Sequence, residues 1–325
     1  MSQKSILDKK RGMLLGLAIG DALGAAVEFK RPGSFAPVSG YRSGGPHGLD
    51  PGEWTDDTSM ALALADSILE TGWDLDDQAR RYLSWWQNGQ YSITGNCFDI
   101  GGTCSQALRA FQRLGNARES APTAPSSSGN GSIMRIGPVP AYFSELYHQD
   151  LQSLVRLSME SSLPTHGSAM CLSACISLSV ILAALINGES REAVLDPMWP
   201  VWSRISELHP LDPNISKVIS GSFRKKVPPE IRGSGFVVES LEAALWAFDT
   251  SDSFEEAVLK AVNLGDDADT TGAVCGQLAG ACWGESGISD HLLTGLAGRD
   301  MLDSLFGRLV SDPDSRKTSH HDSTN

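Results

Sequence analysis

Apolar residues recur at i, i+3 and i+4 along almost the whole of this chain, and surface patterned with that period cannot be buried as a sheet. Segments near 9–26, 57–71, 75–88, 102–114, 132–146, 150–160, 166–187, 190–208, 236–249, 253–263, 268–283 and 298–310 carry it, rich in Ala and Leu. Alternating, strand-like runs are scarce. Breakers separate the segments, among them RPGSFAPVSGYRSGGPHG, APTAPSSSGNG, VPPEIRGSG and the GESG after Trp283. The expectation is an all-α, compact single-domain helical bundle over residues 1–311, with the chemistry on loops at one end. The polar tail 312–325, interrupted by proline and without apolar periodicity, is expected to be disordered, which leaves His320 and His321 little part in any metal site.

Charge narrows the partners. With 39 acidic and 26 basic residues, a formal charge of -13 and a pI near 4.9, the chain is a poor candidate for nucleic-acid binding by phosphate neutralisation. A small polar ligand or a protein partner fits better. MSQKSILDKKRG has no signal-peptide pattern. The longest apolar run, Ala169 to Ile186, is broken by serines and by Cys171 and Cys175, so no membrane span is expected. The six cysteines form no Cys-x-x-Cys pair; Cys171/Cys175 and Cys275/Cys282 sit at helical spacings, which suits reduced core residues of a soluble cytoplasmic protein.

Two acidic clusters stand out. In GEWTDDTSM, Thr55, Asp56 and Asp57 fall just where an apolar helical pattern begins, a place where Asp and Thr commonly cap free backbone N–H groups. In NLGDDADTTGAV, Asp267, Asp269 and Thr270 repeat the arrangement ahead of a helix rich in small residues. One side-chain oxygen caps a helix, so several carboxylates plus hydroxyls exceed the need. If the two helix starts meet, the carboxylates repel one another unless cations sit between them. An oxygen-only set suits Mg²⁺ or Mn²⁺ rather than zinc, and a paired site would polarise substrate hydroxyls or a water.

Three further stretches have the character of ligand machinery. SSSGNGSIMRIGP joins a Ser/Gly run to an expected helix start, so backbone N–H groups of Gly129, Asn130, Gly131 and Ser132 could cradle a phosphate with help from the helix dipole; an ordinary linker is the alternative. Arg135, one turn inside that expected helix, is better suited to structure than to phosphate contact. Asp99 in NCFDIGGT is either a cap or a hydrogen-bond partner for a sugar hydroxyl. His166 in LPTHGSAMC is structural or, of the seven histidines, the one best placed to meet a ligand.

The ordered set LGLAIGDALGAAVEF, TDDTSMAL, FDIGGT, SGNGSIMR, THGSAMC and NLGDDADTTGAVCGQLAGA resembles the ADP-ribosylglycohydrolase family, which includes dinitrogenase reductase-activating glycohydrolases and ADP-ribosylarginine hydrolases. The match runs from about Arg11 to Trp283; the 190–235 section has no motif support. The resemblance implies an all-α fold with a dinuclear Mg²⁺ or Mn²⁺ site in a cleft for ADP-ribose. It implies metal ligands at Thr55, Asp56, Asp57, Asp267, Asp269 and Thr270, with Asp56, Asp57, Asp269 and the loop acid Glu28 closest to catalysis. It puts Asp99 on the ribose, and Ser128, Gly129, Asn130, Gly131, Ser132 and His166 around the diphosphate and adenosine. Asp266 departs from the glycine common at its position, and Ser132 and Ile133 replace small residues.

The implied reaction is hydrolysis of the bond between the distal ribose of ADP-ribose and a side chain of an ADP-ribosylated protein, with arginine as the modified residue. Competing readings are a hydrolase of serine-linked ADP-ribose or of a small ADP-ribosyl compound, and a non-catalytic binding or structural relative. Retention of all six oxygen donors argues against the last. The target protein, the oligomeric state and the choice between regulation and toxin immunity are not encoded in any motif.

Overall fold

The computed structural model describes residues 2–311; the expected disordered tail, with His320 and His321, lies outside them. The described chain is helical without a sheet, its only pairings being the isolated bridges Gly44 to Leu49 and Gly129 to Phe236. In order the helices are α1 (Gln3–Gly24), α2 (Asp56–Thr71), α3 (Leu75–Asn88), α4 (Gly102–Leu114), α5 (Pro138–Phe143), α6 (Leu146–Gln149), α7 (Leu151–Glu160), α8 (Ala169–Ile186), α9 (Arg191–Val194), α10 (Pro200–Leu208), α11 (Pro213–Ile219), α12 (Val237–Asp249), α13 (Phe254–Val262), α14 (Ala268–Trp283), α15 (Asp290–Gly295), α16 (Arg299–Leu302) and α17 (Arg308–Val310).

The helix that organises the rest is α14, which packs antiparallel along α1. Glycines four residues apart make the contact: Gly12 faces Gly280, Gly16 faces Gly276, Gly20 faces Gly272, and Gly24 meets the backbone of Ala268 and Asp269. Residues spaced by four share one helix face, and without side chains on it the two backbones touch. A Cβ at Gly20 would fall inside the van der Waals radius of the Gly272 carbonyl oxygen, which is backbone and has nowhere to go. Gly20→Ala is therefore expected to destabilise the protein by about 3 kcal/mol, the upper end of overpacking costs. Urea denaturation measures it; an unchanged midpoint would show that the helices separate freely.

This close pairing fixes the site. The C-terminal end of α1, carrying Asp21 and, past a short 3₁₀ turn, Glu28, is brought against the N-terminal end of α14, carrying Asp267, Asp269 and Thr270. Helix α2 packs on both and brings its own N-terminus to the same place. Helices α8, α12 and α13 surround the other side of α14. By length and composition α8 is apolar enough to cross a membrane, contrary to expectation, but it is 89% buried inside the protein and is the central core helix.

Several boundaries differ from expectation. Residues 132–146 are not one helix: turns run from Gly131 to Arg135, and helix begins only at Pro138, which disfavours helical backbone just before it. The 190–208 segment breaks over Leu195–Trp199, which contains Pro197 and is followed by Pro200, the first residue of α10. The 166–187 segment starts at Ala169, because Ser168 caps the Cys171 N–H. The short helices α11 and α15 carry too few turns to show a period.

Candidate active site

Thr55 and Asp267 occupy the N-cap positions of α2 and α14, yet neither side chain caps a backbone N–H of its own helix. The start of α2 is capped from outside, by Asp21 of α1. Its Oδ1 accepts from the Thr55 N–H at 2.9 Å and the Thr55 hydroxyl at 2.8 Å; its Oδ2 accepts from the Thr58 N–H at 3.0 Å and the Thr58 hydroxyl at 2.6 Å. Asp21 is fully buried, and burial lifts its carboxyl to about 6 despite those four donors. With capping supplied by Asp21, the carboxylates of the first cluster are left for other work.

They meet the second cluster. The Thr55 hydroxyl oxygen lies 3.2 Å from both Asp57 Oδ2 and Asp269 Oδ2, and the Thr270 hydroxyl donates to Asp57 Oδ2 at 3.4 Å. Carboxylate oxygens of Asp21, Asp57 and Asp269 all lie within 4.8 Å of one another, as do those of Glu28, Asp267 and Asp269, so Asp269 belongs to both groups. Asp56 stands on the wall of the same cavity, 9% exposed. Asn130 Nδ2 donates to Asp267 Oδ2 at 2.8 Å and holds that carboxylate in place.

The electrostatics are unbalanced. Among the described residues, Asp57 Oδ1 and Asp269 Oδ1 are buried with no hydrogen-bond donor, and no Lys or Arg lines the cavity. Burial first, and then neighbouring carboxylates, hold the Asp56, Asp57 and Asp269 carboxyls well above the ordinary range. Burial, then Asp99 and Asp56, pushes Glu28 up to about 9. Bare carboxylate oxygens in low dielectric are costly unless paired. The orphaned oxygens, the hard donor set and the missing cations fit one or two divalent metal ions held by oxygen.

The cavity above the cluster has a volume of about 330 Å³, within the range of small-ligand pockets. On one side a turn tied by Gly44 N–H to Leu49 O (2.8 Å) and Leu49 N–H to Gly44 O (3.1 Å) presents His47 at its tip. Gly45 touches the Ala25 carbonyl, a closeness that a side chain would forbid. His47 Nε2 thereby reaches Glu28 Oε2 at 3.0 Å and lies 3.6 Å from Asp99 Oδ2. Asp99 is no cap: α4 has Gly101 at its N-cap position and no side-chain cap, and its first turn, Gly102, Thr103 and Cys104, lines the cavity.

The glycine-rich loop is built differently from expectation. Gly129, Asn130 and Gly131 line the cavity, but no helix begins at Ser132, so no dipole acts there. The Asn130 N–H donates to Gly235 O at 3.0 Å and is not available to a ligand. Ser128 and Ser132 are buried away from the cavity wall, and Ser128 Oγ donates to Ser168 Oγ at 2.7 Å. Arg135 is fully buried, donating to Gly131 O at 2.6 Å and Thr165 Oγ1 at 2.6 Å, and braces the loop from behind. His166 does line the cavity; its Nδ1 sits 2.8 Å from Thr165 Oγ1, and burial, then Arg135, lowers its imidazole to about 3, keeping it neutral.

Asp21 and His47 were absent from the sequence-derived site. Asp21 sits in an apolar helix face, where a carboxylate must be satisfied or neutralised, and that was the available signal. His47 lies in a glycine-flanked turn with no period to place it.

Comparison with known proteins agrees with this geometry. A family model described as ADP-ribosylglycohydrolase matches residues 2–318. The ADP-ribosylarginine hydrolase Tri1 of Serratia proteamaculans is 39% identical over 304 residues, covering 93% of this chain and 79% of that protein. The ADP-ribosyl-dinitrogen reductase glycohydrolase of Rhodospirillum rubrum is 31% identical over 302 residues, covering 91% of this chain and 92% of that one. A solved structure titled ADP-ribosylglycohydrolase-related protein complex superposes with a TM-score of 0.81 at 37% identity, covering 94% of this chain and 98% of that one.

Proposed function

This chain belongs to the ADP-ribosylglycohydrolase family of glycosidic hydrolases, and from that premise we propose that it removes ADP-ribose from arginine side chains of modified proteins with two bound Mg²⁺ or Mn²⁺ ions. The observation that carries the metal part is Asp269, shared by two carboxylate groups at the cavity floor with one buried oxygen unpaired. The arginine linkage rests on the relatives of 38–39% identity, which are named ADP-ribosylarginine hydrolases. The six free cysteines suit a reducing compartment, and we assign the protein to the cytoplasm.

In this reading Thr55, Asp56, Asp57, Asp267, Asp269 and Thr270 hold the ions. Ions held there would supply Lewis acidity, orienting ribose hydroxyls and lowering the pKa of a water. Asp99 accepts a hydrogen bond from the ribose and, with Glu28, faces the carbon where positive charge develops. The bond from that carbon to the guanidine nitrogen breaks, its electron pair staying on nitrogen. Glu28, whose carboxyl is held protonated, gives its proton to the leaving guanidine nitrogen, water adds to the carbon, and Glu28 recovers a proton from that water. Gly129, Gly131 and the uncapped first turn of α4 offer N–H groups to the diphosphate, and the neutral His166 meets the adenosine side.

Arginine-linked and serine-linked ADP-ribosyl peptides, offered separately with Mn²⁺, test the linkage by chromatographic detection of released ADP-ribose. Release from the arginine peptide at least ~100-fold faster, about 2.7 kcal/mol in barrier, is expected. Equal or reversed preference would replace arginine by the serine or small-compound reading.

A further inference from the structure

Phe29 is 65% exposed at the rim of the cavity, next to Glu28. Its backbone is left-handed, with φ +61°, and Asp266 opposite has φ +53°. Both are costly for residues with side chains, Phe especially. The pair is locked: the Phe29 N–H donates to Asp266 O at 2.6 Å, and the Asp266 N–H donates to Lys30 O at 2.8 Å. Gly265, also left-handed, lets the two segments close, since a Cβ there would lie 2.6 Å from Lys30 O. Glycine would make the same turn at Phe29 without the steric cost, and the ring gains little burial to offset it. A bulky aromatic held in strained backbone and turned toward solvent at a cleft mouth has no account in folding stability; such strain gathers where a site needs it.

We propose that Phe29 determines specificity by presenting its ring to the guanidinium of the modified arginine, reading the protein side of the glycosidic bond while the cavity reads ADP-ribose. This deepens the arginine-linked reading and rests on it. The chemistry is complementary. A planar, weakly hydrated guanidinium stacks on an aromatic face, a contact that strengthens as water is displaced. The carboxyls of Glu28 and Asp99, both within reach of His47 on one side of the cavity, offer acceptor oxygens to the several N–H donors of a guanidinium, donors that the ether oxygen of a serine linkage lacks. The position also suits the geometry of departure: Phe29 flanks Glu28 at the opening, where the protein part of a substrate must lie once ADP-ribose fills the interior.

The test compares Phe29→Ala, Phe29→Leu and Phe29→Trp, each checked by circular dichroism, in two assays with Mn²⁺ present. One is kcat/KM on an arginine-linked ADP-ribosyl peptide; the other is the dissociation constant of free ADP-ribose, which lacks the guanidinium. Expected is a loss of about tenfold in kcat/KM for the Ala and Leu variants, equal to about 1.4 kcal/mol, near-wild-type activity for Trp, and ADP-ribose affinity within about twofold of wild type throughout. Leu keeps the apolar bulk without the π face, so a merely structural role would spare it. Full activity in Ala and Leu, or a parallel loss of ADP-ribose affinity, would overturn the proposal while leaving arginine hydrolysis standing. No wild-type turnover of the arginine peptide would overturn the linkage and this inference together.

Discussion

Protein stripped with a chelator and then given Mn²⁺ or Mg²⁺ at a hundred times its dissociation constant is expected to gain about 2.7 kcal/mol of stability, a rise in Tm on the order of 5–8 °C. At one fixed metal concentration the gain should depend on pH, because the dissociation constant does, and the sign follows from the carboxyls. Asp21 is raised from 3.8 to about 6 and Glu28 from 4.5 to about 9 in the folded protein, with burial the first cause in both. Across about pH 4 to 9 the folded metal-free state therefore binds more protons than the unfolded chain, and its stability falls as pH rises. Cations require the ionised carboxylates and release those protons on binding. The Tm gain should be larger near pH 9 than near pH 5, and hydrolysis should stop on chelation. Calorimetric scans at both pH values decide it; identical unfolding with and without metal would remove the dinuclear site from the mechanism.

Asp269→Asn is expected to lower kcat/KM by about a thousandfold or more, roughly 4 kcal/mol of transition-state stabilisation. The substitution keeps the shape of the side chain and removes the charge common to both carboxylate groups. It should leave the metal-free fold at least as stable as wild type, because a buried, unpaired carboxylate oxygen disappears with it. Loss of activity together with retained stability is the signature of a residue kept for chemistry. Wild-type turnover would show that Asp269 serves the structure alone; an unfolded variant, seen by circular dichroism, would show that its carboxylate holds α14 in place.

The helical character and the two acidic clusters were legible in the sequence because each is local: a period over a dozen residues, or several hard donors within four positions. That Thr55 and Asp57 would meet Asp269 and Thr270 was readable only as a conditional, since nothing local says that the two helix starts converge. The glycines that enforce convergence were visible in α14 as small residues, but their partners Gly12, Gly16, Gly20 and Gly24 acquire meaning only when the two helices are laid together. Asp21 was hidden for the same reason, since its four donors lie more than thirty positions away. The helix expected over 132–146 is confined to the part from Pro138 onward, because the proline ring disfavours helical backbone at the residue before it. With the missing first turns went the dipole assigned to Gly129–Ser132; the uncapped helix start at the cavity belongs instead to α4.

The pairing of α1 with α14 joins stretches about 250 residues apart. At translation rates of about 5–20 residues per second, α1 leaves the ribosome some 10–50 s before α14 exists. During that wait its glycine face has no backbone to lie against, and Asp21 can cap α2 while the acid cluster is still half built. Synthesis order thus separates scaffold from chemistry: the first helices can assemble early, but the groups that share Asp269 come into being only when the last quarter of the sequence arrives. A chain halted before Ala268 lacks Asp269, the residue common to both carboxylate groups, so an interrupted message yields no partly competent hydrolase.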